Sequence, residues 1–203
     1  RGDIRMEDIY EYPLKQHLGE QVVPVVVDGD SVNRGQLVAF QRENTLGANL
    51  YSSVKGVVTK VTEQSIFIKG VGEQTADYEP LKGSEPLELI REAGLVGLGG
   101  AGFPTYAKLS KPFEHGGTVI INAAECEPIL SHNIERIRQK PEQLLRGLRI
   151  AMDVVHATKG VIAIKEKHTE AVKALREANK DPDISLTLLE DMYPMGEERA
   201  IIR

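Results

Sequence analysis

Residues 97–108 read Gly-Leu-Gly-Gly-Ala-Gly-Phe-Pro-Thr-Tyr-Ala-Lys, and this stretch is the most informative feature of the chain. Packing does not explain four glycines in six positions, because glycine costs roughly 0.5–1 kcal/mol against alanine inside regular structure. Glycines mark backbone that turns sharply or lets a ligand approach closely. Pro104 suits the first turn of a helix, whose N-terminus attracts phosphate, and Lys108 lies about one turn further in. The stretch therefore predicts a site for a phosphorylated cofactor.

The chain around the glycines alternates short apolar runs with segments of helical spacing. A short helix is predicted before the glycines, at 86–93, and the C-terminal residues 198–203 read as a helix that stops just after it begins. Three strands are predicted at 118–122, 160–165 and 184–189, with helices at 141–155 and 168–179. This alternation predicts an α/β, Rossmann-like domain with a mainly parallel sheet over residues 80–203. We expect this domain to be truncated at its C-terminus.

The N-terminal part has a different pattern. Residues 12–70 are rich in β-branched residues and glycine turns, with a strand-like run at 22–27 and a turn at 28–30. Short strands at close spacing predict a small β-sandwich or barrel, and residues 71–83 read as a polar linker. The predicted fold class is α+β with two domains: a β domain with its linker at 1–79 and an α/β domain at 80–203.

Composition narrows the range of functions. The chain has 203 residues, 41% of them hydrophobic, a net charge of −5 and interleaved acidic and basic residues, so a nucleic-acid-binding surface is not expected. Neither an apolar run long enough to span a membrane nor a signal-peptide pattern is present, and we expect a cytoplasmic protein. One cysteine, Cys126, cannot form an internal disulfide or hold an iron–sulfur cluster by itself. The first residue is Arg1, and we interpret the chain as a fragment of a longer protein.

The glycine stretch does not fit either of two common phosphate-binding motifs in its sequence context. The spacing of Gly97, Gly99 and Gly102 formally matches the dinucleotide-binding fingerprint, which requires a strand directly before it and a full helix after it. Here a helix is predicted before the glycines, and about two turns of helix fit before Lys111-Pro112. The Walker pattern fails as well, because no Gly-Lys-Ser/Thr follows. An ordinary nicotinamide dehydrogenase is therefore disfavoured.

The complete string from Gly97 to Lys108 resembles the flavin loop of the FMN-binding subunit of respiratory complex I and its relatives. Those relatives include the C subunit of the Rnf electron-transport complex, the corrinoid reductase of propanediol utilisation and the electron-transfer protein of proline reductase. Two further segments agree in order and spacing: residues 122–128, Asn-Ala-Ala-Glu-Cys-Glu-Pro, and residues 193–198, Tyr-Pro-Met-Gly-Glu-Glu. The Rnf and proline-reductase branches both remain open.

The N-terminal pattern around Gly29-Asp30 and Ser52-Ser53 resembles the barrel-sandwich hybrid of biotinyl and lipoyl domains, and a barrel before the flavin domain is typical of the Rnf branch. A swinging-arm carrier needs a lysine at its hairpin tip. The segment between the two halves, residues 41–50, has none. We therefore interpret the β domain as a structural module.

The resemblance implies a set of FMN-binding residues. The glycines would let the flavin lie against bare backbone, Lys108 would pair with the phosphate, Asn122 would hydrogen-bond the flavin and Glu125 would flank the nucleotide. The residues at 193–198 would close the pocket. The complete set is Gly97, Gly99, Gly100, Gly102, Lys108, Asn122, Glu125, Tyr193, Gly196, Glu197 and Glu198. Ala124 stands where the complex I pattern has an aspartate, so one carboxylate is lost.

The resemblance also implies an activity. The parent protein would accept hydride from NADH onto FMN and pass single electrons to 4Fe–4S clusters outside these residues, within an assembly of partner subunits and without a membrane span of its own. It could sit on the inner face of the membrane through those partners. No acid–base catalytic residue is required, and Cys126 with His132 is too little for a metal site. The alternatives are a non-catalytic docking module of an electron-transfer assembly and a dehydrogenase that works without flavin.

Overall fold

The computed structural model describes residues 8–98, 100–125, 130–192 and 196–202. Within these residues the chain forms ten strands and six helices. The strands are β1 (Ile9–Pro13), β2 (Val23–Pro24), β3 (Ser31–Val32), β4 (Leu37–Phe40), β5 (Leu50–Tyr51), β6 (Gly56–Val61), β7 (Ser65–Gly70), β8 (Thr118–Ala123), β9 (Lys159–Lys165) and β10 (Ile184–Leu189). The helices are α1 (Pro86–Glu92), α2 (Thr105–Leu109), α3 (His132–Gln139), α4 (Pro141–Val154), α5 (Thr169–Ala178) and α6 (Glu198–Ile202). The chain divides into two compact units between Ser110 and Lys111.

The first unit contains two antiparallel sheets, with strand orders β1-β7-β6-β3 and β2-β4-β5. Alternating apolar residues of these strands, such as Ile66 and Ile68 of β7, point into one core and are fully buried. The strand predicted at 22–27 is shorter than expected and covers only Val23–Pro24. Pro24 has no N–H to donate to a ladder, and Val27 N–H bonds Asp30 Oδ2 at 2.8 Å in the turn that follows.

The segment after the barrel has no helix or strand between residues 71 and 85, as the polar linker predicted, yet it is tied to the barrel. Glu79 N–H bonds the Arg34 carbonyl at 3.0 Å. The Tyr51 hydroxyl bonds the Glu92 carbonyl at the end of α1, and the Arg91 guanidinium lies 5.2 Å from the centroid of the Tyr106 ring. Both short helices therefore pack with the first unit, while the domain limit between 79 and 80 stays a prediction.

The second unit is a parallel sheet of order β10-β9-β8, with α4 and α5 against one face. All three predicted strands are confirmed, since an apolar run bounded by turns is typical of a buried parallel strand. The register pairs Ala123 with Ile164, and Ile164 with Leu188. The carboxyl ends of the three strands therefore lie at one edge of the sheet, which is where ligands bind in open α/β folds. No described helix is both long and apolar enough to cross a membrane.

Candidate functional site

The glycine stretch forms a closed loop that projects from the first unit. Val96 pairs with Pro104, Gly97 N–H bonds the Phe103 carbonyl at 3.0 Å, and Thr105 N–H bonds the Leu95 carbonyl at 2.9 Å. Part of the loop is open to solvent: Gly97 and Gly100 are exposed and Leu98 is 96% exposed. Gly102 is buried, and its carbonyl accepts from Leu18 N–H at 3.1 Å, so the face available to a ligand is the one formed by the exposed residues.

The glycines of this loop serve different purposes. Gly102 has φ +66°, and a Cβ there would lie 2.9 Å from His17 Cα, so the fold itself requires glycine. At Gly100 a Cβ would meet no described atom within 4 Å, and at Gly97 the nearest such atom is 3.9 Å away. Packing in the described chain therefore requires no glycine at positions 97 and 100. Backbone without side chains at these two positions leaves room for a ligand to approach.

A small cavity lies beside the loop within the first unit. Its volume is about 220 Å³, and its lining includes His17, Asn49, Gly97, Gly100 and Gly102. The backbone N–H groups of Leu98 and Gly100 bond no described residue. Free backbone donors next to a cavity are what an anionic group recognises.

Helix α2 contributes less to an anion site than the sequence suggested. It has only five residues and begins at Thr105, with Pro104 as its N-cap rather than within its first turn. So short a helix sums few peptide dipoles. Lys108 is exposed and forms no ion pair with any described residue. Phosphate binding at this loop would depend on the free N–H groups and the Lys108 ammonium, not on a helix dipole.

The second unit brings other predicted residues together at the end of β8. Asn122 is the fifth residue of β8, and its Nδ2 donates to the Gly196 carbonyl at 2.9 Å, while its Oδ1 accepts from Ala124 N–H at 3.1 Å. The Glu125 carboxylate accepts from Asn133 Nδ2 at 3.3 Å. The Asn122 side chain thus links two of the three segments that the sequence pattern singled out, although 74 residues separate it from Gly196.

Glu197 lies next to Gly196 with an exposed side chain. Helix α6 follows and packs through Ile201 on a small core of Ala124, Ala163 and Leu189, which fastens this segment to the end of the sheet. Gly99 and Tyr193 fall outside the described residues, and the side chain of Glu198 is not described. The flavin-contact roles of the predicted residues stay predictions.

One charged cluster at the same edge of the sheet was missed in the sequence. The Lys165 side chain is 8% exposed, and its Nζ lies 3.3 Å from Asp191 Oδ1, which Lys167 Nζ also contacts at 2.8 Å. Hydrogen bonds from Lys167 and Lys165 hold the pKa of Asp191 below its usual range. Two ammonium groups share one carboxylate, so the cluster keeps a net positive charge. The signal was present in the sequence, because Lys165 ends a predicted strand just as Asn122 does.

His168 adjoins this cluster. Burial lowers its pKa below 6.5, and the neighbouring Lys167 charge lowers it further. Its Nε2 is buried without a hydrogen-bond partner among the described groups. His17, in contrast, is structural: it is buried, and its Nε2 accepts from Ala48 N–H at 3.2 Å.

Both units match known protein families. A family described as "RnfC Barrel sandwich hybrid domain" matches residues 2–75, and one described as "Nuo51 FMN-binding domain" matches residues 90–203.

Three curated relatives are similar to nearly the whole chain, and each is the C subunit of an oxidoreductase complex. The relative from a proton-translocating ferredoxin:NAD(+) oxidoreductase complex of Clostridium ljungdahlii is 31% identical over 94% of the chain and 45% of its own length. The relative from a Na(+)-translocating ferredoxin:NAD(+) oxidoreductase complex of Acetobacterium woodii is 32% identical over 94% of the chain and 47% of its own length. The relative from an ion-translocating oxidoreductase complex of Pseudomonas aeruginosa is 33% identical over 96% of the chain and 27% of its own length. The chain spans less than half the length of these relatives.

Proposed function

The chain belongs to the Nuo51 FMN-binding domain family, with an RnfC-type barrel-sandwich hybrid domain before it, and on that premise we propose that it binds FMN as the flavin-bearing part of an electron-transfer subunit. The observation that supports this most directly is the exposure of the loop at Gly97, Leu98 and Gly100. Packing within the described chain does not require glycine at Gly97 or Gly100, so their bare backbone is explained by a flat ligand lying against it.

The residues of the loop fit the phosphate end of FMN. The N–H groups of Leu98 and Gly100, which bond no described residue, and the Lys108 ammonium, which has no ion-pair partner in the described part of the chain, would hold the phosphate through charge-assisted hydrogen bonds. Asn122 keeps one N–H after bonding Gly196, and that group would orient the flavin. When bound, FMN supplies the exchange between two-electron and one-electron chemistry. The protein would supply position and electrostatics, with no side chain acting as acid or base.

Two of the relatives are named as parts of ferredoxin:NAD(+) oxidoreductase complexes, which supports a nicotinamide as one redox partner. We propose NADH as the electron donor and 4Fe–4S clusters as acceptors, held by parts of the protein beyond these residues or by a partner subunit. The partners would be other subunits of an ion-translocating complex. They would hold this protein at the cytoplasmic face of the membrane.

Titration of the purified chain with FMN tests the flavin site. We expect saturable quenching of flavin fluorescence, and a loss of about tenfold or more in affinity for Lys108→Ala, because one charge-assisted bond to the phosphate disappears. Lys111→Ala removes an exposed lysine three residues further on and serves as the matched control. Unchanged affinity in Lys108→Ala would remove the phosphate role of this residue.

The docking alternative makes the opposite prediction for the cofactor itself. A protein that only holds partners together would show no saturable flavin binding and no yellow colour after purification. A dehydrogenase without flavin would oxidise NADH in flavin-free protein. Absorbance of the purified protein near the flavin bands, measured before and after addition of FMN, separates the three possibilities.

A further inference from the structure

A cavity of the second unit lies where β8 ends. Its volume is about 590 Å³, within the range of roughly 300–1,000 Å³ of small-molecule sites. The end of β8 with Asn122, and Glu125 just after this strand, form one wall, and α3 and the start of α4 form another. The cavity thus sits outside the carboxyl end of a parallel strand, where open α/β folds bind their ligands.

Two cations line this cavity. Arg136 lies in the last turn of α3, Lys140 is the residue that caps the C-terminal end of this helix, and neither forms an ion pair with any described residue. Their neighbour Arg138 differs, because its Nη2 lies 2.5 Å from Glu135 Oε1. Hydrogen bonds from Arg138 and, to a smaller extent, Gln139 lower the pKa of Glu135 to about 2. The helix therefore neutralises Arg138 locally and leaves Arg136 and Lys140 for a negative charge in the cavity.

The same cavity also contains a carboxylate. Glu125 lines it and accepts from Asn133 Nδ2 at 3.3 Å. A carboxylate repels a free anion but accepts hydrogen bonds from sugar hydroxyls, as acidic residues do in nucleotide sites. Two cations and one carboxylate around one cavity therefore suit a phosphate that is attached to a hydroxylated sugar, and suit inorganic phosphate less well.

We propose that Arg136 and Lys140 bind a phosphate group of a nucleotide in this cavity, while Glu125 contacts its sugar hydroxyls. The inference rests on the proposed function, because FMN and NADH both carry a phosphate on a hydroxylated chain or ring, and it assigns recognition of that phosphate to residues outside the glycine loop. Bidentate donation from the Arg136 guanidinium provides geometry, and Lys140 provides a second charge.

The test uses the full 203-residue chain with three probes: FMN, NADH and ADP-ribose, which carries the pyrophosphate and both riboses without a redox ring. Fluorescence reports FMN and NADH binding, and calorimetry reports ADP-ribose binding. In the double variant Arg136→Gln/Lys140→Gln we expect affinity for at least one nucleotide to fall about tenfold for each cation removed, and its salt dependence to flatten. Arg138→Gln, on the same helix, is the control and should bind as the unaltered chain does.

The pattern of losses identifies the source of the phosphate. If the double variant binds NADH and ADP-ribose more weakly but FMN as before, the site belongs to the dinucleotide. If only FMN binding is weaker, the site belongs to the flavin phosphate. If all three bind more weakly, both nucleotides use the same phosphate site. Wild-type affinity for all three probes in the double variant, or no binding of any probe to the unaltered chain, overturns the inference. FMN binding that is lost in Lys108→Ala but kept in the double variant, with ADP-ribose binding also kept, would overturn this inference alone. ADP-ribose binding that needs the two cations would support it even if FMN did not bind.

Discussion

Adding one methyl group at two glycines of the same loop should separate folding from flavin binding. In Gly102→Ala the new Cβ would lie 2.9 Å from His17 Cα and 3.0 Å from Gln16 O, both backbone atoms, at φ +66°. A left-handed alanine costs about 1–2 kcal/mol and overpacking about 1–3 kcal/mol, so the free energy of unfolding should fall by about 2–5 kcal/mol. In Gly100→Ala the Cβ meets no described atom within 4 Å, and stability should change by less than about 0.5 kcal/mol.

The effect on FMN should be the reverse. Gly100→Ala places a methyl group on the open face of the loop, where the flavin is proposed to lie, and a steric cost of about 1–3 kcal/mol corresponds to a loss of about five- to 150-fold in affinity. Urea unfolding followed by circular dichroism measures stability, and flavin fluorescence measures affinity. If Gly100→Ala binds FMN as tightly as the unaltered chain, the flavin does not lie against this face. If Gly100→Ala unfolds as easily as Gly102→Ala, the loop is not open as described.

Three further predictions concern the second unit. Gly147→Ala, at an exposed position of α4 with no described atom within 4 Å of the new Cβ, should raise the free energy of unfolding by about 0.5–1 kcal/mol in urea titrations, since alanine favours helix over glycine. Asp191→Asn should lower the melting temperature, because it leaves the buried Lys165 ammonium without its charge partner. The double variant Asp191→Asn/Lys165→Met should recover the original melting temperature. No recovery in the double variant would argue against this ion pair. The lowered pKa of His168 means that the unfolded chain binds its proton more readily, so stability should be greatest above pH 6.5 and should decline as the pH falls below that value. His168→Gln should reduce this slope in unfolding experiments between pH 7.5 and 5.5, and an unchanged slope would place the pH dependence elsewhere.

Much of the fold was readable in the chain because it rests on local patterns. The strand at 184–189 was predicted with its observed bounds, since an apolar run between turns leaves few alternatives. Helix α3 was missed: Ile137 is its single buried residue, and charged and polar side chains dominate its sequence. Helix α3 packs against α5 in the folded chain, and the periodicity of the α3 sequence does not predict this contact.

Some residues of the candidate site could likewise be predicted from local sequence patterns, and others could not. The glycine loop, Asn122 and Glu125 were found because their motif and their positions at a strand end carry a recognisable chemistry. No sequence motif marks the charged residues Lys165, Asp191, Arg136 and Lys140. Strand register brings Lys165 close to Asp191, and folding places Arg136 and Lys140 at the cavity between β8 and α3.

The amino-acid sequence indicated the three parallel strands, helices α4 and α5, the β-rich N-terminal part and the family resemblance, because these depend on composition and spacing along the chain. Only the tertiary structure decided which glycines the fold requires and which it leaves bare, as at Gly102 and Gly100. It also decided which charges are paired, as at Arg138, and which have no ion-pair partner among the described residues, as at Arg136. The physical reason is that steric clash and ion pairing act over a few ångströms in space, between atoms whose separation the linear order of residues does not specify.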